Sequence, residues 1–374
     1  MKQLIGLFAL LFLFIGCKKD VEQNFTLQKS RLKKSFFETQ KTLLERVNVK
    51  VENYQDDVNF FNNLPAQFAL EDCQMTWKSL YNEFLILSPY RYFSGNLDAG
   101  FKQNQNNFDL SSINYEYIDY SVNQPNGGIV SDTINYPTIN QVNLISWHQV
   151  GGEKNVTLGF HAAEFLLWGE DLSLSAPGMR TNIDYQQINT VNKRRKDFFV
   201  ETSTLLTSMI KEVKNDAVYK ASLLSMNEDE AFAAILKGYM RFIKEDLVNR
   251  TLLKPLGSLD AKDELSDFSD NTIENIKSKL KGLRLALDGS ELFAVSEESW
   301  YFMIDFITDV DEVAAKEIIS SLDNAEGLIN QINVDFDQAL QNPMMREKLK
   351  NIAVELNNIH AVLERIVAEN TTVG

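Results

Sequence analysis

Two residues in the stretch LGFHAAEFLLWGED have types and a spacing that could do chemistry: His161 and Glu164. Residues three apart on a helix share a face, with Cβ atoms about 5–6 Å apart. An imidazole and a carboxylate so placed can hydrogen-bond, share a proton or jointly hold a metal ion. Every other residue of FHAAEFLLW is apolar, so the helix is expected to be buried. A buried carboxylate without a partner is costly, so Glu164 needs a cation, donors or a proton. Gly159 and the loop before it place His161 in the first turn, where the helix dipole favours neutral imidazole, whereas Glu164 favours the cation. The pair is expected to face a wet cleft, since a binding site must admit its ligand. The spacing HxxE is common by chance, and the zinc-peptidase pattern HExxH is absent. Of the other two histidines, His148 stands in a loop, and His360 beside the apolar Ile359 reads as a helix-face residue.

The elements that must position the pair are helical. Leu32, Phe36, Leu43, Val47, Tyr54, Val58 and Phe61 mark one long amphipathic helix ending near Pro65. Cys73, Trp77, Leu80, Phe84 and Leu87 form the next stripe, closed before Pro89. Val191, Phe198, Leu205, Ile210 and Val213 continue the pattern. Leu322, Ala325, Ile329, Ile332 and Phe336 step by three and four, as do Leu349, Ile352, Leu356, Ile359, Leu363 and Ile366. Such steps give one buried stripe per helix, and long single-stripe helices pair antiparallel in bundles. Ser225 with Glu228 is a capping box ahead of the apolar run from Ala231; Asn271 with Glu274 is another start, and Pro343 suits a first helical turn.

Residues 88–157 break this regularity, rich in Asn, Tyr, Gly and Asp, and long loops in compact domains are often functional. Tyr90, Tyr92, Tyr115, Tyr117, Tyr120 and Tyr136 are read as packing that loop onto the bundle. Residues 170–184 and 253–268 are shorter irregular pieces. The 374 residues suffice for two all-α bundles, 25–220 and 221–374, with a seam near 217–227. Seven prolines and 17 glycines argue against a loop-rich β fold, and 44% hydrophobic with 24% charged residues is ordinary globular composition. A formal charge of -15 without a basic patch excludes nucleic acid as the expected partner.

The chain opens MKQLIGLFALLFLFIGC, an apolar run too short for a stable membrane span. Gly16 directly before Cys17 resembles a bacterial lipobox, with Phe14 where leucine is commoner. The resemblance implies a signal peptide over 1–16, acylation of Cys17, a tether over 17–24 and a cell-envelope location anchored to a membrane by lipid. Cys73, the second of two cysteines, lies on an apolar stripe and is assigned to core packing.

GFHAAEFLLWGED resembles the hallmark of the imelysin family, also called the M75 peptidases and the iron-regulated lipoproteins. Its GxHxxE is met by Gly159, His161 and Glu164. DELSDFSDNT resembles the family's acidic segment ending FSDNT, and NKRRKDFF its helix with paired arginines. Leu265 stands where many relatives have His, which removes a candidate ligand. The family's Glu-Leu-Ala-x-Glu-Arg run survives only as EDLVNR, ending at Arg250. The resemblance implies two four-helix bundles with the motif near the groove between them. It also implies a ligand, an iron species, haem or a peptide, bound in that groove and linked to envelope uptake components. Gly159, His161 and Glu164 would bind it, with Ser269, Asp270, Asn271 and Thr272, which end a loop and open a helix with free N–H groups. His161, Glu164 and Glu264 are the candidates for ligating iron or zinc. A metal-dependent endopeptidase and a structural or adhesive envelope protein are the rival expectations.

Overall fold

The computed structural model describes residues 2–91, 108–214, 224–293 and 300–370; the side chains of residues 2–24, 213, 214 and 370 lie outside the described ones. Cys17 with its signal peptide and tether, Tyr92, and most of the expected seam therefore fall outside that description. The described residues contain helices and turns and no strand. Among them no helix is long and apolar enough to cross a membrane.

The stripes become helices where the spacing places them. We number the principal ones α1 (Lys2–Asn63), α2 (Gln67–Ile86), α3 (Phe160–Trp168), α4 (Thr190–Lys214), α5 (Glu228–Arg241), α6 (Thr272–Leu287), α7 (Glu312–Ile329) and α8 (Pro343–Asn370). α1, α2, α3 and α4 pack together, as do α5, α6, α7 and α8. α1 serves both groups. Its Tyr54 donates to or accepts from Ser203 of α4 at 2.8 Å, while Lys29 pairs with Asp229 of α5 at 2.6 Å and the Phe36 ring lies 6.1 Å from Tyr239. α6 lies along α2, and one continuous apolar cluster runs through both groups. Cys73 is buried within it as a free thiol.

Three local expectations change. α5 is capped not by Ser225 but by Asn227, whose side chain accepts from Glu230 N at 2.9 Å. That register puts Glu228, Asp229 and Glu230 in the first turn, against the positive end of the helix dipole. The 322–336 stripe is interrupted: α7 stops at Ile329, and Phe336 opens the separate short helix Phe336–Gln341. α5 runs on without a break into Phe242–Leu253, which winds with wide π-type turns, then into Lys254–Ser258, so most of 253–258 is helical, not loop.

The irregular segment 108–157 is held by the paired arginines of α4. Arg194 donates to the carbonyls of Ile129, Val130, Tyr136 and Pro137 at 2.6–3.1 Å. Arg195 grips the buried Asp119 carboxylate through two nitrogens, and Arg180 joins it at 2.7 Å. Tyr115 packs on Phe165 and Phe268, and Tyr117 and Tyr136 pack on each other. Tyr90 on Phe36 of α1 and Tyr115 on Phe165 of α3 thus fasten the loop to the helices, as expected, while Tyr117 and Tyr136 pack within it.

α6 meets the end of α2 at a glycine. A Cβ on Gly282 would lie 2.4 Å from the Ile86 carbonyl oxygen, a backbone atom that cannot swing away. Gly282→Ala should therefore cost about 1–3 kcal/mol despite alanine's better helix propensity. Gly327→Ala in α7, where nothing lies within 4 Å, should be neutral or stabilising. Urea midpoints of the two variants check this.

Candidate functional site

α3 starts at Gly159, whose φ of 92° only glycine adopts freely, and this sharp entry sets His161 in the first turn. Trp77 of α2 anchors the same turn by donating its indole N–H to the Phe160 carbonyl at 3.1 Å. The Tyr81 and Phe160 rings pack tilted at 40° with centroids 4.6 Å apart, and Tyr81 meets His161 edge-on at 5.3 Å. His161 is only 4% exposed and Glu164 fully buried, so the pair is not the wet one expected. The physical reason is that its partners come from the protein.

Glu164 Oε2 lies 2.8 Å from His161 Nδ1, and its Oε1 accepts from the Ser269 hydroxyl at 2.6 Å and the Ser269 amide at 3.2 Å. On the other side of the ring, Nε2 lies 3.3 Å from Asp109 Oδ1, which also accepts from the Tyr81 hydroxyl at 2.6 Å. Both ring nitrogens therefore face carboxylate oxygens, a placement that calls for two N–H donors. Burial lowers the His161 pKa, but Asp109 and Glu164 outweigh it and hold it above its ordinary value. The charges continue outward. Asp109 takes Arg250 at 3.2 Å and Arg91 at 3.4 Å; against the cost of burial, these cations and His161 keep its carboxyl well below the usual range. Arg250 reaches Asp246 at 3.3 Å, and the fully buried Lys279 pairs with Asp246 at 2.7 Å. Asp246 and Arg250 both project from the π-type segment, where their facing is not that of an ordinary helix.

A pocket of about 200 Å³ opens above this pair, lined by His161, Glu164, Tyr115, Lys154, Lys262 and the acidic segment Asp260, Asp263, Glu264 and Asp267. Leu265 lines it too. The other sequence candidates divide. Ser269 is spent on Glu164; Thr272 accepts from the Ser266 amide at 2.9 Å; Asn271 donates to Asn82 at 2.9 Å. Asp270 turns toward Asp171 and Asp337. Gly159 shapes the backbone. His148 accepts from the Thr157 amide at 3.1 Å, and burial lowers its pKa to about 4. His360 sits on α8 with Glu364 at 3.6 Å. The residues missed in the sequence are Tyr81, Asp109 and Lys279, which carry no motif and meet His161, Arg250 and Asp246 only through the fold; Asp246 lay in the EDLVNR run, four residues before Arg250, without being singled out.

His161 and Glu164 do not fit a zinc centre. Both ring nitrogens and both carboxylate oxygens are already taken, and a catalytic zinc needs about three protein ligands and an open position. Asp267 is a different case: burial first, then Asp337 and Glu164, push its carboxyl up to about 8. A folded-state pKa raised this way means the native protein keeps a proton that the unfolded chain loses above its ordinary value near 4. Stability should therefore fall as pH rises from 5 to 8, with His161, also raised, pulling in the same direction above about 6.5. Denaturant unfolding across that range should show the fall, and Asp267→Asn should flatten it.

No curated protein matched this chain in sequence. The fold resembles the crystal structure of a protein from Parabacteroides distasonis ATCC 8503, provisionally described as an iron-regulated protein A precursor, with a TM-score of 0.67, 14% identity and coverage of 87% of this chain and 90% of that one. The family model Imelysin, peptidase M75, matches residues 43–363, a span holding the GxHxxE helix, the arginine pair and the FSDNT segment, and the chain belongs to that family.

Proposed function

We propose that this protein binds a small polar cationic ligand in the pocket above His161 and Glu164, as an iron-binding component of uptake at the cell envelope. The observation that carries the reading is the pocket's lining. Beyond Glu164, four carboxylates, from Asp260, Asp263, Glu264 and Asp267, outnumber the two lysines and one histidine. Such oxygen-rich walls suit a hard cation such as ferric iron. At about 200 Å³ the pocket is smaller than the roughly 300–1,000 Å³ of drug-sized sites, so a hydrated ion or small chelate suits it better than haem. The iron-regulated description of the structural neighbour supports the same direction. In this reading His161 and Glu164 shape and polarise the floor without touching the metal, and the segment before residue 25 carries the lipid anchor on Cys17. The envelope location and any contact with uptake components rest on that anchor.

Peptidase chemistry gains no support from the geometry, because the motif's donors are engaged with Asp109, Tyr81 and Ser269. A purely structural role explains the burial of the pair but not the acid-lined pocket over it.

Calorimetric titration of the metal-free protein with ferric citrate, haem and a peptide pool tests the proposal. Saturable binding of the iron species is expected, weakened about tenfold or more, or at least about 1.4 kcal/mol, in Asp267→Asn, which removes one carboxyl ligand able to give up its proton to the metal. Inert iron species alongside tight haem or peptide binding would refute it. So would peptide cleavage abolished by His161→Ala.

A further inference from the structure

We propose that Asp171, Asp270 and Asp337 form a second site, for a hard divalent cation of calcium's size, beside the pocket and separate from the His161–Glu164 pair. The three come from different elements: the segment just after α3, the residue pair before α6, and the first turn of the helix Phe336–Gln341. One oxygen of each lies within 4.8 Å of the other two. Oxygens bound to one calcium ion, each at about 2.3–2.6 Å, stand at most about 4.6–5.2 Å apart, so oxygens within 4.8 Å of one another are close enough to share one calcium shell. Magnesium, at about 2.0–2.1 Å, holds its ligands within roughly 4.2 Å and would require the widest such arrangement to contract.

Proximity of acids alone would not make a site. The second observation is what surrounds the oxygens. Asp337 is 3% exposed, and its Oδ1 receives no hydrogen bond. Asp171 Oδ2 and Asp270 Oδ2 are also shut away from solvent with no donor. Glu264, 1% exposed, lies against Asp337, and neither of its carboxyl oxygens receives a hydrogen bond. Buried carboxylate oxygens cost several kcal/mol unless donors or a cation face them, as order of magnitude. Protein cations do not fill that role: among the described residues no lysine or arginine forms an ion pair with any of the three. Lys78 acts on Asp270 only at a distance, and its ammonium group sits over the Trp168 ring, 5.5 Å from the centroid. A set made only of carboxylates, without nitrogen or sulfur, selects a hard ion over zinc or copper. Asp171 and Asp270 are half-buried, which leaves room for water in the remaining positions.

The inference goes beyond the iron-binding reading and survives its failure. The experiment uses the full chain, stripped with chelator and dialysed, and titrated with calcium chloride alone. One calcium per chain should bind, and saturating calcium should raise Tm by about 3 °C or more. Asp337→Asn should bind calcium at least tenfold more weakly and show no calcium-induced rise. Its metal-free form should melt higher than metal-free wild type, since a buried like charge is gone; this keeps the test readable without any binding. Asp263→Asn, altered in the pocket, should bind calcium as wild type does. Absence of calcium binding by the wild type, or equal binding by Asp337→Asn, would overturn the proposal. Calcium binding without iron binding would uphold this site while removing the iron reading of the pocket.

Discussion

The imidazole of His161, held between the carboxylates of Asp109 and Glu164, is the interaction on which the rest of the site depends. Two buried carboxylates on either side of one ring repel each other and lose their water. Only a cation between them offsets both costs, so the ring is held as a donor on both sides. That choice propagates. Asp109 fixes the end of the irregular segment; Glu164 fixes the loop that opens α6; Tyr81 ties Asp109 and His161 to α2. Removing His161 would leave the buried Glu164 carboxylate with only the Ser269 donors. The pair is therefore a joint between helix groups as well as the floor of a pocket.

The joint continues through the π-type segment. Arg250 reaches Asp109 at its side chain and its carbonyl, and Asp246 spans to Lys279 of α6. The Arg250–Asp109 contacts tie the second helix group to the irregular segment beside His161, and Asp246–Lys279 holds that group together. Within the acidic segment Glu264 is buried, and Asp263, Asp267 and Asp270 are partly so. Burial, then the neighbouring carboxylates of Asp337, Glu164 and Asp171, raises the Asp267 carboxyl, a strain that a bound cation would relieve.

How much of this was legible in the sequence depends on range. The helices were, because stripes of three and four are local: α1, α2, α4 and α8 end within a few residues of their expected limits. The His161–Glu164 bond was, because three residues on one helix must meet. The break after Ile329 was not, since Ile332 and Phe336 keep the helical step while packing from a turn and a new helix. Asn227 displaced Ser225 as the cap because both are good caps and tertiary contact decides between them. The burial of the pair was missed for a stronger reason. Its partner Asp109 lies 52 residues away in a segment without periodicity, so nothing local announced the third charge. Arg250 was visible only as an imperfect motif, and the π-type winding that aims it has no sequence pattern. The convergence of Asp171, Asp270 and Asp337 likewise exists only in the fold.

The most direct test of the central claim is the nitrogen-15 NMR signal of the His161 ring at neutral pH, recorded with and without added zinc. The account predicts an imidazolium with both nitrogens protonated, exchange-protected, and unmoved by zinc. A neutral ring with one unprotonated nitrogen that shifts on zinc addition would contradict it and return the motif to metal chemistry.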